Sequence, residues 1–205
     1  MISVSGKIWT EQKVNKNLVE KFKQDYGFSD IITRLIISRN YDISEIYGIN
    51  NKQKLINIFR NDKDFDKASL ILINAIINNE NICILGDYDV DGVCATSLLV
   101  RYFNSINQKH FFYIPDRTDD GYGASKKLFQ KLILKKPKLV IMVDCGSTSN
   151  EAIEYLNKHN IKSIIIDHHE INKPYPKSNV IINPKKESSK NEKSLLCATA
   201  LTYFF

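Results

Sequence analysis

From Ile82 to Ile182 short apolar runs alternate with amphipathic stretches, and this alternation narrows the possible folds more than any other feature of the chain. The runs Ile82–Leu85, Phe111–Ile114, Leu139–Val143, Ile164–Ile166 and Val180–Ile182 are almost wholly apolar, as strands covered on both faces must be. Between the first four lie Cys94–Ile106, Ser125–Lys135 and Asn150–His159, where apolar residues recur at helical spacing. Single helices between strands make βαβ units, so the expected fold is α/β, a largely parallel sheet flanked by helices. Residues 1–80 read differently. Ser29 precedes Ile31, Ile32, Leu35 and Ile36, and Ala68, Leu72, Ala75 and Ile76 also recur at helical spacing. A small helical N-terminal segment over 1–80 is therefore expected ahead of a domain over 81–205.

What the strands release at their carboxyl ends is the most informative part of the sequence, because ligands of open α/β sheets bind there. The first runs into Gly86-Asp87-Tyr88-Asp89-Val90-Asp91-Gly92 and the second into Pro115-Asp116-Arg117-Thr118-Asp119-Asp120-Gly121-Tyr122-Gly123. The third ends in Asp144-Cys145-Gly146 and the fourth in Asp167-His168-His169-Glu170. Each motif alone has a bland reading. An Asp-rich turn is commonly a solvated loop, Asp144 and Ser147 suit a helix-capping turn, and a His pair is common on surfaces or in cores. Nor is the first loop an EF-hand, since no Glu stands at its twelfth position. Their coincidence on one sheet edge decides the matter. Carboxylates gathered within several ångströms cannot all stay ionised without a cation. Asp and His without Cys favour Mn²⁺ or Mg²⁺ over structural zinc. Asp87, Asp89, Asp91, Asp144, His168 and His169, with Asp167, make seven candidate ligands, more than one ion needs, so two ions bridged by a carboxylate are expected.

Two features suit phosphate. Gly146-Ser147-Thr148-Ser149 is expected to open a helix whose N–H groups face an anion, and Arg117 stands beside the flexible Gly121 and Gly123. Lys126, Lys127, Lys131, Lys135, Lys136 and Lys138 form an acid-free stretch that reads as a solvated helix face. The formal net charge of +6 and pI near 9.0 favour a polyanionic partner. The four cysteines never form C-x-x-C and read as small hydrophobes, mostly buried, in a reducing compartment. No apolar run is long enough to span a membrane and no signal peptide is legible, which together imply a cytoplasmic protein.

These motifs resemble those of the DHH phosphoesterase superfamily: G-D-Y-D-V-D-G at 86–92, D-C-G at 144–146 and D-H-H at 167–169. R-T-D-D-G-Y-G at 117–123 is similar to the loop that sets RecJ nucleases apart, and the Trp9 region, N-D-K-D-F-D-K-A and V-I-I-N-P are also RecJ-like. The resemblance implies that Asp89 and Asp91 ligate metal, that Asp87 ligates or buttresses them, that Asp144 bridges two ions and that His168 is a ligand. His169 would ligate or contact substrate, and Asp167 would orient the histidines. Asp89, Asp91, Asp144, His168 and His169 would form the catalytic set, with Arg117, Gly121, Gly123, Ser147 and His169 holding substrate phosphate. The implied activity is 5′→3′ exonuclease action on single-stranded DNA in recombination and repair. Its partners would be a helicase and a single-strand-binding protein, with a monomeric state expected.

Two departures stand out. Leu196-Cys197-Ala198-Thr199-Ala200 replaces a glycine-rich stretch of that family, and the ending at Tyr203-Phe204-Phe205 reads as an interrupted apolar helix. The chain is expected to lack a C-terminal part and to be nearly inert alone. Other DHH phosphoesterases, such as oligoribonucleases and cyclic-dinucleotide phosphodiesterases, usually carry His where Leu85 stands. Non-catalytic replication scaffolds of this fold lose the carboxylates that this chain keeps.

Overall fold

Five short strands rich in Ile and Val pair side by side, all parallel, in the order β2-β1-β3-β4-β5. They are β1 (Ile82–Leu85), β2 (His110–Tyr113), β3 (Leu139–Val143), β4 (Lys162–Ile166) and β5 (Val180–Ile182). The computed structural model describes residues 3–8, 10, 12–42, 45–46, 48, 56–116, 118–120, 123–186 and 192–205. The chain divides into two compact units, Met1–Ile56 and Asn57–Phe205. In the first, α1 (Lys16–Tyr26) starts at Asn15, whose side chain caps it, and ends at Gly27 in the left-handed region. Ser29 then caps α2 (Asp30–Ser38), which buries Thr33 and Ile36 and leaves Ile31, Ile32 and Leu35 exposed.

The second unit begins earlier than residue 81. Helix α3 (Lys63–Ile77), capped by Asp62, buries Phe65, Ala68, Leu72 and Ala75 in the cluster that contains Ile82 and Ile84 of β1. Strand residues alternate between two cores. Ile82, Ile84, Ile141, Val143 and Ile164 face α3, α4 (Val90–Ser105) and α7 (Ala198–Phe204). Cys83, Leu85, Val140, Met142 and Ile165 face α5 (Lys126–Leu132) and α6 (Asn150–Lys158). The expected helix from Ser125 to Lys135 is α5 followed by a 3₁₀ turn at Ile133–Lys135, and α4 starts at Val90 rather than Cys94 because Asp89 caps it. Cys83 and Cys145 are buried as expected, but Cys94 and Cys197 are exposed, since Cys94 lies on the outer side of α4 and Cys197 caps α7.

With few glycines, the chain turns its helices into strands on asparagine. Asn79, Asn107 and Asn160 follow α3, α4 and α6 with φ of 48°, 53° and 54°, the left-handed region that Asn enters more readily than other non-glycine residues. Among the described residues no helix is long and apolar enough to cross a membrane.

The strand order places the site. From β1 the chain moves outward to β2, and from β2 it returns across β1 to β3. The loop after β1 leads to α4 on one face and the loop after β3 to α6 on the other. The two loops part and leave a crevice at the switch point of the sheet.

Candidate metal centre

The loop after β1 is held by packing that only glycine permits. A Cβ on Gly92 would lie 2.5–2.7 Å from backbone atoms of Asp87, so the first turn of α4 rests directly on the loop. Asp89 accepts a hydrogen bond from the Gly92 N–H at 2.9 Å as the cap of α4. Asp87 is buried, and its Oδ1 has no hydrogen-bond partner. Burial pushes its carboxyl above the usual range; the Tyr88 N–H opposes this and the charge of Asp89 adds to it.

Asp144, one residue past β3, has φ of 61°, in the left-handed region that costs a non-glycine residue energy and recurs at functional sites. Its N–H donates to the Ile166 carbonyl at 2.9 Å, which fixes the turn against β4. The side chain is fully buried and neither carboxylate oxygen has a hydrogen-bond partner. His168 Nε2 lies 3.2 Å from Oδ1 without hydrogen-bond geometry, and His169 Nδ1 lies 3.9 Å away. Burial, then the charges of Asp91 and Asp89, push the Asp144 carboxyl up to about 8.

Asp167 is the opposite case. It is as buried as Asp144 but accepts four hydrogen bonds: from Ser147 N–H at 3.0 Å, His168 N–H at 2.8 Å, His169 N–H at 3.2 Å and His169 Nδ1 at 2.8 Å. Burial alone would raise its carboxyl; the bonds from His169 and Ser147 outweigh that and hold it at about 2. The same contact raises the His169 imidazole above its ordinary value. In the neutral ring this contact would favour the proton on Nδ1.

Five of the expected ligands thus meet at one edge. One ligand atom each from Asp87, Asp89 and Asp144 lie within 4.8 Å of one another, and so do atoms from Asp144, His168 and His169. The two sets share Asp144. Asp91 belongs to neither set. Its oxygens accept from the Ala198 N–H at 2.7 Å and the Thr199 N–H at 2.8 Å, the first residues of α7. Burial pushes the Asp91 carboxyl up, but these bonds, with the Thr199 and Cys197 side chains, leave it lowered overall. It stays beside the cluster, with Oδ2 3.4 Å from His168 Nε2.

The expected phosphate residues are distributed differently. Gly123, Ser147 and His169 line one small cavity of about 60 Å³ with Gly146, Thr148 and Asp167. Ser147 is buried, with its N–H bonded to Asp167 and its hydroxyl accepting from Asn183 Nδ2 at 2.8 Å. Helix α6 begins only at Asn150. Arg117 and Gly121 lie outside the described residues, as do Tyr122 and Trp9. Asp120 of the same loop is turned away, bonded to the Tyr113 hydroxyl at 2.6 Å and to Lys131 at 3.0 Å.

Two contributors are not evident from the sequence. Asn183 ends β5 at this same edge and also donates to the His169 carbonyl at 3.0 Å. The position rule that selects Asp144 and Asp167 applies to it equally. Thr199 carries no such signal, because it lies 108 residues from Asp91 in sequence.

The model of the DHH family, N-terminal domain, matches residues 81–205. The chain belongs to the DHH family. Among its DHH relatives, the single-stranded-DNA-specific exonuclease RecJ of Bacillus subtilis is 27% identical over 180 residues, covering 87% of this chain and 23% of that protein. RecJ of Escherichia coli is 33% identical over 120 residues, covering 58% of this chain and 21% of that protein. A crystal structure of exonuclease RecJ bound to manganese superposes with a TM-score of 0.66 at 26% identity, covering 74% of this chain and 38% of that one. The chain therefore spans less than a quarter of the length of these curated relatives.

Proposed function

We propose that this chain carries the metal centre of a phosphodiesterase that removes nucleotides from the 5′ end of single-stranded DNA. The observation that carries the reading is the cluster of buried carboxylate oxygens without a donor at this edge, one on Asp87 and two on Asp144. Such groups are costly to bury unless a cation completes them. The donor set is oxygen with imidazole and contains no thiolate, which suits Mn²⁺ or Mg²⁺. Asp144 is common to both ligand groups, so two ions would share it, one toward Asp87 and Asp89 and one toward His168 and His169.

When bound, the ions would lower the pKa of water and neutralise charge developing on the phosphate. The rest falls to the chain. Asp167 orients the His169 ring through Nδ1, and Nε2 is the nitrogen that would ligate or contact substrate. The packing of Gly92 keeps Asp87 and Asp89 from drifting apart. Gly123 and Ser147 shape the floor beside His169, where a phosphate oxygen would rest. Single-stranded DNA as substrate is carried by the likeness to the single-stranded-DNA-specific exonuclease RecJ. The 5′ polarity and a helicase or single-strand-binding partner rest on the resemblance of the motifs alone.

Single strands labelled at either end and incubated with Mn²⁺ test the reading, together with the thermal shift that Mn²⁺ produces. The expected result is a Mn²⁺-dependent rise in melting temperature, absent in Asp144→Asn, and slow release of mononucleotide from the 5′ label. An Mn²⁺ shift unchanged in Asp144→Asn would remove the metal centre. Release from the 3′ end alone, or cleavage of RNA dimers alone, would assign the site to another DHH activity.

A further inference from the structure

The opposite edge of the sheet concentrates positive charge. Here the strands begin, and Lys109, Lys135, Lys136, Lys138, Lys158, Lys162 and Lys177 are all exposed in the turns that enter them or in their first residues. Among the described residues Glu80 is the one acidic residue in those turns. Seven lysines against one glutamate leave six positive charges at this edge, whereas residues 57–205 as a whole carry 20 Lys and Arg against 17 Asp and Glu, a formal net charge of +3. Away from this edge the second unit is therefore net negative.

Backbone bonds set these residues in a row. Ile82 N–H donates to the Lys109 carbonyl at 3.2 Å, Lys138 N–H to Asn81 at 2.9 Å and Lys162 N–H to Lys138 at 3.0 Å, so Lys109, Lys138 and Lys162 stand at one level across β2, β1, β3 and β4. Three intervals of about 4.8 Å from β2 to β4 give the row a length of about 14 Å, enough to follow a few successive phosphates. Among the described residues none of the seven lysines takes part in an ion pair, whereas Lys126 and Lys131, toward the other edge, are paired with Glu151 and Asp120. The Lys135 side chain lies over the Phe111 ring at 4.9 Å. Helix ends offer a competing account. Helices α3, α4 and α6 point their carbonyl ends at this edge, and a cation near each would be favourable. That explains Lys158, in the last turn of α6, but one cation per helix end does not require seven.

We propose that this amino-terminal edge is a second nucleic-acid docking surface, which holds a phosphodiester backbone by charge on the side of the sheet away from the carboxylates. It would bind without reading sequence and without metal, and would keep a strand near a carboxylate edge that repels it.

Fluorescence anisotropy of a labelled oligothymidylate, titrated in EDTA over a range of salt, tests this. Replacing Lys109, Lys138 and Lys162 by Gln should weaken binding at least tenfold at low salt. It should also lower the slope of log K against log salt by about 2, since each phosphate neutralised on a single strand contributes about 0.7. Replacing Lys21, Lys67 and Lys127 by Gln removes the same net charge elsewhere and should leave the slope unchanged. Equal weakening in this control would overturn a localised surface. Because the titration is made in EDTA, with no metal bound, its outcome is separate from that of the metal-centre reading. If the triple variant fails to fold, each single Gln variant should still lower the slope by about 0.7, and unchanged slopes would overturn the proposal. Poly-glutamate binding as tightly as the oligonucleotide would overturn it in favour of an acidic protein partner.

Discussion

Asp91 and Asp144 approach the same atom, Nε2 of His168, at 3.4 and 3.2 Å, yet their surroundings oppose each other. Asp91 is held by two backbone N–H groups of α7, while Asp144 is buried with no donor. Neutralising them should therefore change the metal-free protein in opposite directions. Asp144→Asn removes a buried, repelled charge and should stabilise the protein at pH 8 by about 1–3 kcal/mol, because uncompensated buried charge is what burial penalises most. Asp91→Asn loses charge-assisted bonds that cap α7 and should destabilise by about 1–3 kcal/mol. Urea denaturation in EDTA reads both, and a shift of the same sign in both variants would show that the two carboxylates are not divided in this way.

The carboxyl of Asp144, raised to about 8 from 3.8, makes metal-free stability depend on pH. A raised folded pKa means the native state holds its proton longer, so this stability is present below about pH 4 and is lost as pH rises toward 8. Asp87 and His169, also raised, act in the same direction. Asp167, lowered to about 2, acts oppositely, and its contribution is lost as pH falls below about 4. In EDTA the melting temperature should therefore be highest at mildly acid pH and decline toward pH 8. Bound Mn²⁺ requires Asp144 ionised, so its apparent affinity should rise with pH up to about 8. Affinity independent of pH between 6 and 8 would show that no proton leaves Asp144 on binding.

How much of this is legible in the chain follows from the range of each interaction. Strands β1, β3 and β5 match their apolar runs residue for residue, because a run buried on both faces has polar residues at each end to mark it. The carboxyl-edge rule likewise finds Asp87, Asp89, Asp144, His168 and His169, since strand ends are local features. The start of α4 is not legible in this way, because Val90 and Asp91 are set by the Asp89 cap rather than by apolar periodicity. The bond from α7 to Asp91 is out of reach, because nothing in Ala198 or Thr199 marks a partner more than a hundred residues away. The hidden division of the carboxylates, satisfied at Asp91 and orphaned at Asp144, depends on that bond.

Asn183 should prove to be a positioning residue. Its amide joins the Ser147 hydroxyl at 2.8 Å and the His169 carbonyl at 3.0 Å, so it ties the end of β5 to two loops of the centre. Asn183→Ala leaves those acceptors unpaired in a buried setting and should cost about 1–3 kcal/mol. The Mn²⁺ thermal shift should shrink without vanishing, because no ligand is removed. Complete loss of the shift in a folded Asn183→Ala protein would place Asn183 among the ligands instead.

Gly92 supplies the sharpest conflict between local preference and site geometry. It occupies the first turn of α4, where alanine in place of glycine ordinarily favours a helix by about 1 kcal/mol. Here the new Cβ would meet the backbone nitrogen, carbonyl carbon and oxygen of Asp87 at 2.5–2.7 Å, and none of those atoms belongs to a side chain that can turn aside. Either α4 or the loop must move by several tenths of an ångström. The loop is the softer partner, because α4 is anchored by Ala95, Leu99 and Phe103 in the core. Moving the loop displaces Asp87 and Asp89 together from Asp144. Gly92→Ala should therefore destabilise the protein by about 1–3 kcal/mol, as overpacking does, against the sign that helix propensity predicts. It should also lower the apparent Mn²⁺ affinity tenfold or more, since ligand groups displaced by a fraction of an ångström no longer fit one ion. Thermal melts with and without Mn²⁺ read both effects. Gly92→Ala with parental stability and parental Mn²⁺ affinity would show that the close approach of α4 to Asp87 plays no part in holding the centre.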